Sequence, residues 1–438
     1  MLVNYFKIAI KVLWKNKFYT FVSLFGISFT LMTLLLLTAF IHEEFGNQPP
    51  MSKKDRMVFL SHGIHRSFNI DTTYTIDSTL VSGKMTYDTL SIDTARGEQR
   101  SYSSSALKYG VLEDYFNNIE GVEAASFYLP DASYELFTSA GKLPVNVSHT
   151  DANYWKIYDF PLLEGRTYTA SEVDKAQQLV VVSKSFATKL FGQYTGIVGK
   201  TFELNRKTWE IIGVLDIESR KHADAYMSFR VLPPHAFKGT KYTGPFKAVL
   251  LADSQTSTVE VEERIAQITA NMPQEIDGYT DFKTVALDYK HHYGLELMFD
   301  DDPKRPYRIL SIMVSILILL FTLLPILNLV NLNTSRILER ASEIGIRKSF
   351  GASTGQILGQ FLFENVLITF IGGLIAIVLS YFLFDMINDS KILSSVILKI
   401  NWTVFLIGLL ISLLFGVVSG FIPAWRTSKI SIAQALKQ

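Results

Sequence analysis

The chain has 438 residues, 48% of them hydrophobic and only 19% charged, a balance too apolar for an ordinary soluble protein of this size, so spanning segments are to be expected. With a formal net charge of +1, nucleic-acid binding is not suggested. With no cysteine at all, no disulfide framework or thiolate metal site is available.

In residues 1–17, Lys7, Lys11 and Lys15 fall at i, i+4 and i+8 among Phe6, Ile8, Ile10, Leu13 and Trp14. This spacing predicts an amphipathic elbow helix lying on the inner leaflet. Phe18–Ile41 then runs without one Asp, Glu, Lys, Arg or His, long enough to cross about 30 Å of hydrocarbon. It stays bulky to its end, unlike a cleaved signal peptide. Similar charge-free runs cover Ile309–Ser335, Asn365–Phe384 and Ile400–Trp425. Four transmembrane helices are therefore expected, over 18–41, 309–332, 357–384 and 402–424.

Residues 42–308 form the one long segment between spans. Up to Arg305 it holds 28 Lys/Arg against 36 Asp/Glu, an acidic region inside a nearly neutral chain. Strands are expected at Arg56–Ser61, Leu179–Val182 and Thr208–Val214. Helices are expected at Leu107–Glu120, at Ser183–Phe191 before Gly192, and at Val259–Ala270. The stretch Asp71–Ser105, rich in Ser, Thr and Asp, reads as loops or weak strands. The segment is thus a mixed α/β domain, large enough to fold on packing alone. Two local patterns do not amount to sites. Gly196–Thr201 ends like a phosphate loop, but the required glycine five positions before Gly199 is Tyr194. His62, His65, His291 and His292 have no completing ligand cluster and read as surface or core histidines. No constellation of acid, histidine and nucleophile converges anywhere, so no catalytic, cofactor or metal site is expected.

Lys and Arg set the orientation. Eleven fall in residues 1–17, in the loop 333–356 and in the tail 425–438, against two (Lys391, Lys399) in the loop 385–401. Both termini and the loop 333–356 are therefore expected in the cytoplasm, and the α/β domain outside. Within the spans, Gly26 with Thr30, and Ser412, Gly416 and Gly420 at i, i+4 and i+8, present small-residue faces suited to helix packing. Gln356, Gln360 and Glu364 make a polar stripe at the entrance of the third span, read as polar packing rather than a proton relay.

The cytoplasmic loop carries the most information. Ile337, Ala341 and Ile344 form an apolar stripe, and Glu343 precedes Arg347 by four residues. Gly351 can end the helix, and Ser353-x-x-Gln356 is a capping box for the next one. Read blandly, this is a positive patch that orients the bundle; an amphipathic helix with no core of its own suggests instead a docking element for a cytosolic partner.

At this point the sequence resembles the MacB/FtsX-type ABC transporter permeases. The resemblance lies in Glu339-Arg340-x-x-Glu343-Ile344-Gly345-Ile346-Arg347-Lys348-x-x-Gly351, in Gly372-Gly373 of the third span, and in the ending Pro423-Ala424-Trp425-Arg426. In the outer domain it extends to Tyr158–Arg166, Val180–Ser183, Lys189–Gly192, Gly199-Lys200-Thr201 and Ile211–Val214. It implies a MacB-like periplasmic core with porter and Sabre parts in a bacterial inner-membrane protein. It also implies a coupling helix, made by Glu339, Arg340, Glu343, Ile344, Gly345, Arg347, Lys348 and Gly351, seated on a separate cytosolic ATPase that uses the ATP. A second permease copy, a periplasmic adaptor and an outer-membrane channel, with membrane lipids around the spans, are the other implied partners. Gly372 and Gly373 join the packing positions. The alternatives are a lipoprotein-releasing permease, an FtsX-like regulator of cell-wall hydrolases and, from another class, a transmembrane sensor, for which the short cytoplasmic segments leave no output domain.

Overall fold

The computed structural model describes residues 17–81, 84–138, 141–217, 222–238, 242–273, 280–339, 349–390 and 398–400, with isolated positions among 6–15, at 346 and among 402–421. Of the elbow segment only isolated helical positions, Phe6, Ile10, Lys11, Leu13, Trp14 and Lys15, are among the described residues, and the tail 425–438 lies outside them. The chain divides into a helical unit, Met1–Glu44 with Ile309–Gln438, and an outer unit, Phe45–Arg308.

Helix α1 (Lys17–Phe45) opens the described chain. In the outer unit follow β1 (Met57–Val81), β2 (Lys84–Ser105), α2 (Tyr109–Phe116), β3 (Val122–Thr138), β4 (Gly141–Thr150), α3 (Tyr154–Ile157), β5 (Leu162–Gly165), α4 (Ala170–Asp174) and β6 (Leu179–Ser183). Then come α5 (Lys184–Phe191), β7 (Thr201–Leu204), β8 (Lys207–Leu215), β9 (Ala225–Ser228), β10 (Lys247–Ala252), α6 (Thr258–Ala270), β11 (Thr280–Asp288) and α7 (Tyr289–Leu297). Helices α8 (Arg305–Glu339) and α9 (Thr354–Ser390) complete the description.

The strands form one sheet in the order β11-β1-β10-β3-β4-β9-β6-β8-β5, with β2 on β1 and β7 on β8. Its centre is buried on both faces, and strand alternation decides which residue goes where. Val58 and Leu60 enter a core with Leu112, Phe116, Phe127 and Ile265. Met57 and Phe59, one residue out of step, enter a second core with Tyr154, Ile157 and Tyr226. In β6 the same rule sends Val181 to that second core and Val180 and Val182 to a third, beside Phe186, Phe202 and Trp209.

Local signals set the element ends. Ser183 Oγ accepts from Phe186 N at the start of α5, and Gly192, at φ +72°, ends it in the left-handed conformation that glycine adopts without strain. Thr169 and Glu172 form a capping box on α4. The stretch expected as loops or weak strands differs. Residues 71–105 belong to a continuous antiparallel ribbon of β1 and β2, paired from Gly63↔Ser105 to Val81↔Lys84. Its many Thr residues, with Ile and Tyr between them, favour extended backbone where Ser and Asp alone do not.

In the helical unit, Ile27 and Leu31 of α1 are buried with Ile368 and Ala376 of α9. Thr20–Phe45 and Gly355–Ser390 are each long and apolar enough to cross a membrane.

Two motifs far apart in sequence meet in the outer sheet, where Gly165 of β5 pairs with Gly213 of β8. A Cβ on Gly213 would lie 2.4 Å from the Arg166 carbonyl oxygen, and one on Gly165, at φ +77°, would lie 2.1 Å from that of Ile212. Both atoms are backbone and cannot swing away. The isolated outer unit, residues 45–308, is expected to fold. In it Gly213→Ala should cost about 2 kcal/mol or more, lowering Tm by about 4–8 °C in a circular-dichroism melt.

Candidate functional site

The outer unit begins at Phe45, the last residue of α1, and ends in the first turn of α8, and these two points lie together. The Phe45 and Tyr307 rings meet edge to face at 5.9 Å. Helix α7 is seated against both. Its Tyr293 lies 5.2 Å from Phe45, and its His291 lies 5.2 Å from Tyr307. Gly294 permits the approach, because a Cβ there would stand 2.6 Å from Tyr307 N. Phe45 ends a helix long and apolar enough to cross a membrane, and aromatic rings are the residues expected at such an end.

Polar contacts fix the same joint. Asp288 Oδ1 caps α7 by accepting from His291 N at 2.9 Å. Glu262 of α6 accepts from Asp288 N at 2.9 Å and pairs with Lys304 Nζ at 2.7 Å, so one carboxylate ties the start of α7 to the chain's return. The Lys54 ammonium stands over the Tyr289 ring at 4.8 Å. Deeper in, His292 stacks on Phe59 of β1 at 4.4 Å, its Nδ1 within 2.8 Å of Ser61 Oγ and its Nε2 3.4 Å from Glu296 Oε1. Burial pushes the His292 pKa down to about 4, Lys247 and His62 act in the same direction, and Glu296 opposes them. The imidazole is therefore held neutral. Helix α7 thus touches both Phe45 and Tyr307 and, through His292, strand β1.

The sequence-expected residues fall as follows. Arg340, Glu343, Ile344, Gly345, Arg347, Lys348, Ser412, Gly416 and Gly420 lie outside the described residues, and Glu339 is the last residue of α8. Gly351, at φ +89°, precedes α9. There Ser353 N donates to Gln356 Oε1 at 3.0 Å and Gln356 N to Ser353 Oγ at 3.3 Å, the two reciprocal bonds of a capping box. One turn further, Gln360 Nε2 donates to Glu364 Oε1 at 3.0 Å, both side chains buried. A Cβ on Gly372 would lie 2.7 Å from Ile27 Cγ2, and one on Gly373 2.7 Å from Leu409 Cδ1, whereas Gly26 has open space beside it. The Gly199–Thr201 segment spends its backbone groups on β8, with Gly199 N on Ile211 O at 2.8 Å and Ile211 N on Lys200 O at 2.9 Å. Among the described residues no group of three or more His, Asp or Glu is placed to hold a metal. The aromatic joint itself was not read from the sequence. Phe45, Tyr289, Tyr293 and Tyr307 flanking two spans were the available signal.

The MacB-like periplasmic core domain matches residues 20–268, more than half the chain, and the FtsX-like permease C-terminal region matches residues 315–432. Among curated relatives, the uncharacterized ABC transporter permease YknZ of Bacillus subtilis is 26% identical over 354 residues, 78% of this chain and 82% of the relative. The macrolide export ATP-binding/permease protein MacB of Hahella chejuensis is 24% identical over 296 residues, 67% of this chain and 43% of the relative. The pyoverdine export ATP-binding/permease protein PvdT of Pseudomonas savastanoi pv. phaseolicola is 23% identical over 325 residues, 72% of this chain and 47% of the relative. The chain thus spans less than half the length of these last two. Among solved structures, the periplasmic region of MacB from Actinobacillus actinomycetemcomitans aligns with a TM-score of 0.34 and 16% identity, over 55% of this chain and 94% of that one. The extracellular domain of YknZ aligns with a TM-score of 0.33 and 17% identity, over 41% and 88%.

The neutral His292 makes the joint acid-sensitive. Its folded pKa, about 4, lies below the usual 6.5, so between those values the unfolded chain binds a proton that the folded chain refuses. Stability is full above pH 6.5 and falls as the pH drops toward 4, by on the order of 3 kcal/mol from this residue. Asp151, pushed up to about 6 by burial, acts in the opposite sense and is common to parent and variant. His292→Gln in the outer unit is therefore expected to flatten the fall in Tm between pH 7 and pH 5 relative to the parent.

Proposed function

This chain belongs to the ABC transporter permeases that carry a MacB-like periplasmic core domain and an FtsX-like C-terminal region, and on that premise we propose that it transmits ATPase-driven motion across the inner membrane to its outer domain, so as to export or extrude an envelope substrate. The observation that carries the proposal is the aromatic joint. Phe45 and Tyr307, one at the end of α1 and one at the start of α8, share α7 as a common seat, and α7 reaches β1 through His292 and Phe59. An outer domain that only hung from the membrane would need no such clamp. One that is pushed does, since a loose joint dissipates displacement.

In this reading the family's ATPase partner docks on the cytoplasmic loop, with four spans, both termini inside and two permeases in the working unit. Glu339, Arg340, Glu343 and Arg347 make the charged rim of the docking helix, Ile337, Ala341 and Ile344 its apolar stripe, and Gly345 the point of close backbone approach. The structured start of α9 supports this. Gly351 and the Ser353–Gln356 capping box fix where the loop ends and the rigid helix begins. Gly372 and Gly373, with no side chain in the way, let α9 lie against Ile27 and Leu409, a packing role rather than a ligand role. The chain supplies no ATP-hydrolysing chemistry of its own in this scheme.

Two variants at opposite ends of the path test it. Glu343→Lys is expected to leave the protein inserted and the outer unit folded, yet to lower recovery of the ATPase in pull-downs from native membranes. Gly294→Val, which drives a side chain into the Tyr307 backbone, is expected to leave ATPase recovery intact and to abolish substrate extrusion. Full extrusion by both variants would remove the transmission reading.

A further inference from the structure

Beyond Ser67 the ribbon of β1 and β2 leaves the sheet. Among the described residues, Ser67 is the last β1 residue paired with β11, and from Phe68 to the tip β1 pairs with β2 alone. The free part extends about 40 Å at roughly 3.3 Å per residue. A two-stranded ribbon standing alone in water is at best marginally stable, so its faces show what it is built to meet.

Those faces differ completely. Residues directly opposite in an antiparallel pair point to the same side, and each strand alternates. One face therefore carries Tyr74 opposite Ile92, Ser78 opposite Tyr87 and Leu80 opposite Met85, with Ile70 and Ile76 in the same row of β1. At the register shift between Thr75 and Ile76, Leu90 is the extra residue of β2, and alternation from Ile92 brings it to this face as well. Each of these eight large apolar side chains is 52–71% exposed. The opposite face carries Asp71, Thr73 opposite Asp93, Thr75 opposite Ser91, Asp77 opposite Asp88, and Thr79 opposite Thr86. From Ile70 to the tip no acid lies on the apolar face, and its one cation there, Arg96 opposite Ile70, stacks over the Phe68 ring at 3.9 Å.

We propose that the apolar face of this ribbon packs against the same face of a second copy of the chain, giving a four-stranded two-layer sandwich outside the membrane. The proposal rests on the reading above that two permeases work together. Three observations favour a second copy as the occupant. The apolar faces are uncharged apart from the stacked Arg96 and so can meet as equals, whereas the acidic faces repel each other and stay in water. At roughly 100 Å² presented by each of the large side chains, one face offers about 800 Å², the share each partner contributes to a standard stable interface. Two ribbons stacked face to face bury their apolar rows at the ordinary spacing of packed sheets, which removes the instability of either one alone. An anionic lipid surface fits less well, because the ribbon's acids would lie close to it with no basic row between.

The absence of cysteine makes the test direct. Full-length chains bearing Ser78→Cys, on the apolar face between Ile76 and Leu80, are treated in native membranes with a short thiol-to-thiol bis-maleimide. The neighbouring Asp77→Cys, on the acidic face, serves as control. Ser78→Cys is expected to give a covalent dimer of this chain as the main product, and Asp77→Cys only a small fraction of that yield. Tyr74→Asp added to Ser78→Cys should lower the yield about tenfold, as expected for losing a central aromatic anchor. Equal yields from both positions, no dimer from Ser78→Cys, or an adduct with another protein or with none would overturn the proposal. Co-purification of two differently tagged copies separates the failures. If they co-purify without the apolar-face cross-link, only the ribbon contact is wrong; if they do not co-purify, the pairing of permeases falls with it.

Discussion

The outer unit depends on one strand being apolar on both sides. Met57 and Phe59 fill one core while Val58 and Leu60 fill another, so four consecutive residues of β1 hold two layers to a single sheet. Without disulfides, nothing covalent resists sliding of one layer over the other, and register is set only by this alternation. β10 repeats the device, with Ala248 and Leu250 in one core and Val249 and Leu251 in the other. The aromatic joint acts on this same strand, since His292 lies flat on Phe59.

How much of this was legible in the sequence depended on the range of the interaction. Local patterns read well. The apolar run of β6, the Ser183 and Gly192 caps of α5, and the Ser353–Gln356 box are each decided within a few residues. The aromatic joint was not legible, because Phe45 and Tyr293 are far apart in the chain and only the fold brings them to 5.2 Å. The ribbon was legible only as loops or weak strands, for another reason. Its composition is that of a loop, yet Ile70, Tyr74, Ile76 and Leu80 keep a period of two across the Thr-rich stretch. Counting Ser and Asp hid a periodicity that position-by-position reading contains.

The phosphate-loop look-alike at Gly199-Lys200-Thr201 teaches the same lesson from the other side. Its glycine is needed, at φ +83°, but for a turn whose amides are already bound to Ile211 and Ile197. A nest of free amides is what phosphate requires, and this turn has spent its own on the sheet. Glycine spacing alone could not distinguish the two uses; the hydrogen-bond partners do.

The nearness of Phe45 to Tyr307 has a further consequence for the history of the chain. A folded insert whose two ends lie side by side can be removed, enlarged or exchanged without altering the spacing of the helices that bear it. The outer unit is in that sense a cassette. The geometry at its base lets a lineage trade one cassette for another while the helices that bear it stay as they are.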